Sequence, residues 1–558
     1  MKENFRQSMA WLHTWCGLWL GWLLFAVFLC GALSVFHAPV TRWMQPERLM
    51  VSDGAFDPDI ALAHAQETLE HEAPDAASWR IEFPSAEDRA MHLHWDGQEG
   101  GELRLDPITG AALPPARDTE GGHHFIEFHY ELHAGMAGVW IVAFATMAML
   151  VALVSGIVTH RRFFKDFFTF RPGKGQRSWL DAHNALGVLT LPFLFLISYT
   201  GLIIWWPDTM PAGIDVHYNG DQRAFFDDVG RGGWLQPKAV APAGDPAPLA
   251  PLPALLADAR ARLATGTGAG GAQADHRTVA TVMVERPGRT TASVIVAGPY
   301  RFDGVAFAAA REFRYDGVTG AYLSTHANDE MLGEGANPAL VAGSVLRTLH
   351  MARFGGDTVK WLYFVCGLAG AAMIAAGLLL FSVKRASRKA REFGAASARV
   401  YEVIERLNVA AIAGLLLACI VYLWGNRLLP LGLVERHHDE AGVFFAAWLA
   451  ATVHALASAP ARAWPAQLGT AGLLCLALPI LNAATTGWHL ARYLTHGDWQ
   501  AASVELAVLV AGMLMLWAAL RLRRRPAAIR TGARQDGKSG KADEPAGLGA
   551  LGTRGEAR

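Results

Sequence analysis

The chain has 558 residues, 52% of them hydrophobic but only 18% charged, against about 25% charged for an ordinary soluble domain. That is too little charge to clothe so much apolar surface in water. Lys and Arg number 49 against 50 Asp and Glu, a net charge of -1, so no global basic field points to nucleic acid or an acidic substrate. The five cysteines, Cys16, Cys30, Cys366, Cys419 and Cys475, all fall in apolar runs, which excludes a disulfide scaffold.

A helix needs about 18 or more apolar residues to cross a hydrocarbon core roughly 30 Å thick. Eight segments meet or approach that length: 15–36, 139–159, 185–206, 359–383, 407–425, 441–459, 467–486 and 504–520. Pro479 in the seventh predicts a kink. The first has the basic start of a signal peptide, but its apolar run is too long and no small-residue cleavage pattern follows near Phe36 and His37, so it reads as an uncleaved helix.

Two long polar stretches, 38–127 and 207–346, interrupt the apolar segments. Each opens on a helix-period segment, 58–71 and 251–264, and the second continues into the β-rich runs "TVMVE" and "ASVIV". Each ends on a related turn, "LRLDPITGAAL" from Leu103 and "FRYDGVTGAYL" from Phe313, offset by 210. Asp106 and Asp316 are placed to open the turns through side-chain to backbone hydrogen bonds, and Gly110 and Gly320 to take positive φ. The expectation is strand, tight turn, strand within two separate small α+β domains. The Gly-rich "TGTGAGGAQ" in the second stretch does not sit between a strand and a helix, and reads as a linker rather than a nucleotide loop.

Basic residues set the expected sidedness. Lys2 and Arg6 precede the first segment. Arg161, Arg162, Lys165, Arg171, Lys174 and Arg177 lie between the second and third; Lys384, Arg385, Arg388, Lys389 and Arg391 follow the fourth; Arg521, Arg523, Arg524 and Arg525 follow the eighth. Eight spans with both termini in the cytoplasm put all of these inside and both polar stretches outside.

An internal repeat organises the first part of the chain. His13, Gly17 and Gly31 recur as His183, Gly187 and Gly201 at an offset of 170, while His129, Trp140 and Gly156 recur as His350, Trp361 and Gly377 at an offset of 221. Titratable side chains at membrane helices are costly and face the bundle interior or water, so each is a functional hypothesis. The pattern predicts an inner layer of His13, His160 and His183 and an outer layer of His129, His133 and His350. Two histidines at one depth on facing helices suit bis-imidazole ligation of haem, small residues making room. The repeat pairs His13 with His183 and His129 with His350, leaves His160 and His133 as alternates, and casts Gly17, Gly187, Gly31 and Gly201 as the space-makers. If His129 and His160 share one helix, the layers lie near opposite faces, about 46 Å apart.

Zinc is the competing ligand for the three inner histidines, although no His-Glu-x-x-His is present. No Cys-x-x-Cys-His occurs either, which excludes covalent haem attachment. His437, His438, Asp439 and Glu440 read as a solvated charged loop, and His454 and His489 as structural. Trp11, Trp15, Trp19, Trp22, Trp205 and Trp206 read mostly as an interfacial belt.

Through "WLHTWCGLWLGW", "THRRFFKDFFTFRPGKGQRSWLDAHNALGVLTLPF", "SYTG", "LHMARFGG" and the two Asp-x-x-Thr-Gly turns, the chain resembles the PepSY-associated transmembrane family over roughly its first 390 residues. That resemblance implies an all-α polytopic bundle of about eight helices in a bacterial inner membrane, carrying two small α+β PepSY-like periplasmic domains. It further implies two b haems on His13, His183, His129 and His350, with His160 in the basic inner motif, and electron passage from an inner to an outer haem and on to a ferric siderophore or other ferric chelate during iron uptake. The donor would be a quinol or a cytosolic flavoprotein, since no Rossmann or flavodoxin-like segment is encoded.

The expected organisation is 1–167 and 168–392 as two helix pairs with their outside domains, 393–525 as four additional helices and 526–558 as a disordered cytoplasmic tail. The four extra helices depart from the family's four-helix form and read as a docking or regulatory module. Two other readings remain: a non-enzymatic, membrane-anchored PepSY interaction or regulatory protein, which needs no haem, and a metal or siderophore transporter, which would want broken helices and buried midplane carboxylates.

Overall fold

The computed structural model describes residues 2–85, 88–97, 100–160, 171, 173, 175–228, 244–265, 279–298, 301–303, 306–308, 311–327, 338–386 and 394–524. The basic run 161–170, the bulk of the Gly-rich insert at 266–278, the basic residues 387–393 and the tail 525–558 lie outside them, and with them the expectations of a cytoplasmic basic loop, a linker and a disordered tail.

The first apolar segment is not one straight helix. Helix α1 (Lys2–Trp19) and helix α2 (Gly21–Ser34) meet at Leu20 with a bend of 63°. Gly17 and Gly21 straddle the break, and paired small residues are where helices bend most cheaply. A side chain at Gly21 would begin 2.9 Å from Leu378 Cδ2, so the glycine also lets α2 approach the helix Gly356–Ala386. Seven further described helices are long and apolar enough to cross a membrane: α6 (Gly135–Thr159), α7 (Gln176–Ile204), and Gly356–Lys384, Arg399–Leu428, Arg436–Ala457, Pro460–Thr486 and Trp499–Arg524. Large apolar side chains such as Phe144, Leu449 and Ile480 point outward. Water would penalise such a surface, and a bilayer accommodates it. Pro465 and Pro479 both lie inside the continuous helix Pro460–Thr486, and that helix reaches Trp499–Arg524 closely enough that a side chain at Gly472 would begin 2.9 Å from Gly512 O.

Between α2 and α6 the chain forms α3 (His37–Met44), α4 (Pro58–Glu72), the strands β1 (Ser78–Glu82), β2 (Met91–Asp96) and β3 (Gly101–Leu105), and the short helix α5 (His123–Glu131). The second polar stretch repeats this as the helix Leu252–Thr265 and the strands β4 (Thr281–Glu285), β5 (Ser293–Ala297), β6 (Arg301–Asp303), β7 (Ala306–Ala308), β8 (Arg311–Asp316) and β9 (Tyr322–Ala327). The two stretches do not make separate domains. Their strands join in one antiparallel sheet of order β3-β2-β1-β4-β5-β8-β9, with β1 and β4 paired from Ser78↔Glu285 to Glu82↔Thr281. Unpaired, each would be an exposed edge offering its N–H and C=O groups to other chains; pairing removes both edges. Leu62 and Leu69 of α4, Leu256 of the second helix, and Ile81, Leu93, Val282 and Val294 of the strands share one buried core.

The predicted turns form as expected. Asp106 accepts from Ile108 N–H and Thr109 N–H at 2.9 and 3.0 Å, and Asp316 accepts from Val318 N–H and Thr319 N–H at 3.0 and 2.7 Å; Gly110 and Gly320 sit at φ 69° and 71°. A full strand, β9, follows only the second turn. After the first, a single bridge, Leu105↔Ala112, is made.

The four C-terminal helices are packed into the same hydrophobic core as α2, α5 and α6. Buried polar groups fasten them: Trp22 donates to Asn408 Oδ1 at 2.7 Å, and the Arg427 guanidinium reaches Trp43 O, Met44 O and Asn482 Oδ1. The segment from His437 to Glu440 is not a solvated loop but the first turn of Arg436–Ala457. Glu440 is fully buried, paired with Arg436 and hydrogen-bonded to Asn426 and Thr119. His437 lies 2.7 Å from Asp118, and only His438 of the two histidines faces outward.

Candidate functional site: two histidine pairs

The structure brings together the histidines that the repeat paired. His13 and His183 have ring centroids 6.1 Å apart with planes at 68°; His129 and His350 have centroids 6.1 Å apart with planes at 32°. The second pair lies at the end of the bundle next to the sheet domain and is termed the sheet-side pair, the first the far pair.

One contact is used four times. His13 Nδ1 donates to Ala152 O (2.9 Å) and packs on Gly156; His183 Nδ1 donates to Met373 O (2.8 Å) and packs on Gly377. His129 Nδ1 donates to Val27 O (2.8 Å) and packs on Gly31. His350 packs on Gly201 and places Nδ1 3.0 Å from Thr200 Oγ1, facing also the Ile197 carbonyl. Each carbonyl sits four residues before its glycine. Inside a helix that carbonyl already accepts the N–H of the residue four on, and has one lone pair left. A side chain on the glycine would obstruct it. A Cβ would begin 2.6 Å from the His129 ring at Gly31, 3.0 Å from His350 at Gly201, and 3.1 Å from His13 and His183 at Gly156 and Gly377.

The contact decides the tautomer. A carbonyl can only accept, so Nδ1 carries the proton in His13, His183 and His129. Thr200 sends its hydroxyl hydrogen to Leu196 O at 2.7 Å, so His350 Nδ1 is a donor as well. In the neutral ring Nε2 then keeps the lone pair. For the sheet-side pair, desolvation deep in the protein also pushes His350 down to about 3, the neighbouring His129 adding to the fall, and lowers His129; both are neutral imidazoles at physiological pH.

These donor sets fit a bis-imidazole metal centre. A metal taking one nitrogen from each ring at about 2.0 Å sets the centroids roughly 6 Å apart, as in both pairs. The Nδ1–H to carbonyl bond is the usual device that orients such a ligand. Room exists beside the far pair, where Gly17 has no neighbour within 4 Å of a would-be Cβ and Gly187 has only Met373, at 3.6 Å. Gly17 thus borders open space and Gly187 is in ordinary contact with Met373, while the cradles under the far rings are Gly156 and Gly377.

Two details of the expected layering change. His129 does not share a helix with His160: the chain turns at Leu132 and His133, both in left-handed backbone at φ 55° and 52°, so α5 folds separately from α6. The separation of the layers is measured instead along α7, where His183 and Ile197 anchor the two pairs fourteen residues apart, about 21 Å of rise. His133 stands off the sheet-side pair. It stacks on His124 with centroids 4.6 Å apart, its Nδ1 3.1 Å from Glu127. His160 closes α6, its N–H donating to Gly156 O at 3.0 Å, within electrostatic range of His183. His13, His160 and His183 do not converge as a three-ligand zinc site; among the described residues the group that does converge is Glu120, His124 and His133. Glu120 and His124 carried only an i, i+4 spacing as a signal. His454 contacts Gln467, and His489 caps a short helix.

Residues 10–384 match the model of the PepSY-associated TM region. This protein belongs to the PepSY-associated transmembrane family. Both histidine pairs and both halves of the sheet lie within the matched residues, whereas the last four helices lie beyond them. The PepSY-associated chain is also 28% identical over 421 residues to an uncharacterised protein of Pseudomonas aeruginosa, an alignment covering 72% of this chain and 96% of that one. Family, apolar helices and outward-facing apolar side chains together make it a multi-pass membrane protein.

Proposed function

We propose that the protein is an inner-membrane, di-haem electron-transfer protein that reduces a ferric siderophore or other ferric chelate on the sheet-domain side during iron uptake. The observation that supports this most is the fourfold contact: four imidazoles in two pairs, each held through Nδ1, which leaves Nε2 to face a ligand. Haem b, when bound, would supply one-electron chemistry at each pair. His13 and His183 would hold one group and His129 and His350 the other. The carbonyls of Ala152, Met373, Val27 and Ile197 fix the orientation of the rings, and the glycines beneath them keep those carbonyls open.

Both termini are cytoplasmic in this reading, so the far pair takes electrons from a quinol or a cytosolic flavoprotein and the sheet-side pair delivers them to the periplasm. The sheet domain, adjoining the second pair, offers the acceptor a surface. The acceptor is tested by reducing purified protein with dithionite, removing the excess and adding a ferric siderophore with a ferrous-specific chelator present. Reoxidation of the haem α band with matching ferrous ion is expected; a band that stays reduced rejects the ferric-chelate reading.

A further inference from the structure

We propose that Glu120, His124 and His133 form a binding site for one divalent first-row transition-metal ion, distinct from the two histidine pairs. One ligand atom from each of the three lies within 4.8 Å of the others. His124 is fully buried, and neither of its ring nitrogens has a hydrogen-bond partner; Glu120 Oε2 is buried and unpartnered too. The closest approach of the two, His124 Nδ1 to Glu120 Oε2, is 3.5 Å, too long for a good hydrogen bond. A buried imidazole left unsatisfied is costly, and the rings of Tyr422, stacked 4.2 Å away, and Phe444, edge-on at 4.6 Å, offer it nothing polar.

His133, unlike His124, is oriented by its contacts. Its Nδ1 lies 3.1 Å from Glu127 Oε2, the carboxylate–imidazole arrangement that orients metal-binding histidines. His133 Nε2 lies 3.1 Å from the His124 carbonyl and 4.0 Å from Glu120 Oε2; a carbonyl only accepts, so Nε2 carries a proton that a bound metal displaces. Both His124 ring nitrogens and Glu120 Oε2 still lack a hydrogen-bond partner, and a cation taking the place of the His133 proton would ligate all three side chains. Metal–ligand bonds of about 2.0–2.2 Å set tetrahedral ligand atoms roughly 3.4 Å apart, so the widest of the present spacings, within 4.8 Å, closes as the ion binds. Two imidazoles and one carboxylate suit zinc, iron(II), cobalt(II) or copper(II) over the oxygen-seeking magnesium and calcium.

The site lies where the repeated part meets the C-terminal helices. Just before Glu120, Thr119 donates to Glu440 Oε2, and just after it Gly121 O accepts from Tyr422 at 2.8 Å. An ion held there fixes the segment leading into α5, the helix that carries His129. The inference needs no haem.

The test uses the full-length protein in detergent, with any affinity tag removed, stripped with a chelator and titrated with Co2+ and Zn2+. One equivalent per chain is expected, with Co2+ giving d–d absorption bands and raising the melting temperature. Glu120→Gln, which keeps shape, and His124→Phe, which suits the aromatic surroundings, should each abolish that equivalent, and Glu127→Gln should weaken it about 10- to 100-fold. His438→Ala, at an exposed histidine, should leave it intact. Loss of the equivalent with bands and haem content of the folded variants unchanged supports the site. No saturable equivalent in the parent, or an equivalent that survives both Glu120→Gln and His124→Phe, overturns it.

Discussion

The far and sheet-side pairs share ligand spacing, tautomer and anchoring, and differ in what encloses them. His13 and His183 sit on spanning helices and have open space beside Gly17. His129 and His350 sit at the ends of two short helices, α5 and Pro338–His350, and α5 is clamped from outside the repeat: Phe128 packs on Phe444, Phe445 and Trp448. The lesson is that one local contact can be copied four times while the stability of each copy is set elsewhere. The far pair meets the C-terminal four only at second hand, through Asn408 bonded to Leu378 and Ser382 beside the Gly377 cradle, and the sheet-side pair borrows rigidity from them through the helix that carries His129.

The comparison is broken most severely by removing ligands. His129→Ala or His350→Ala should remove the haem of the sheet-side pair and spare the other, and His13→Ala or His183→Ala the reverse, read as a halved haem-to-protein ratio. Next, Arg436→Met leaves Glu440 without its partner in a fully buried pair; breaking such a pair costs about 3–5 kcal/mol. A lower melting temperature, with the sheet-side spectrum changed before the far one, is expected. Equal perturbation of both spectra would contradict the clamp.

Glycine substitutions sharpen the contrast further. At Gly31 a Cβ would begin 2.6 Å from the His129 ring, against 3.1 Å at Gly156 and at Gly377. Gly31→Ala should therefore cost about 1–3 kcal/mol of overpacking and shift the sheet-side α band more than Gly156→Ala shifts the far one.

The smallest effect lies outside the helices. Burial raises the Asp106 pKa, but hydrogen bonds from Ser52, Thr109 and Ile108 outweigh it and hold the carboxyl at about 2. A depressed carboxyl stabilises the fold above its unfolded value near 3.8 and loses that contribution as pH falls toward 2, about 2 kcal/mol in all. Asp106→Asn should flatten the acid limb of sheet-domain stability measured by near-UV circular dichroism between pH 4 and 2, with no change in either haem band.

Much of this was legible in the sequence, for identifiable reasons. The spans follow from apolar length. The pairs follow from two offsets, 170 and 221, because the repeat places His13 against His183 and His129 against His350. The glycine roles were only half legible: Gly17 and Gly187 lie one turn beyond His13 and His183 on their own helices, but the cradle belongs to the neighbouring helices, and only a tertiary contact reveals that. The joining of β1 to β4 was hidden, since each stretch alone satisfies its own turn and helix pattern. The break at Leu132 and His133 was hidden because positive φ is uncommon for any residue but glycine, and for Leu above all. Glu440 reads as a surface residue in a polar run, and its burial depends on Arg436, Asn426 and Thr119 arriving from three segments.

The central claim is tested most directly by the haem content and the oxidised and dithionite-reduced absorption spectra of purified protein from haem-sufficient cells, with one alanine variant from each pair. The account predicts a Soret band, a b-type α band, two haems per chain, and one haem in each variant. No Soret band in the parent protein, or variants that lose both haems or neither, would contradict it.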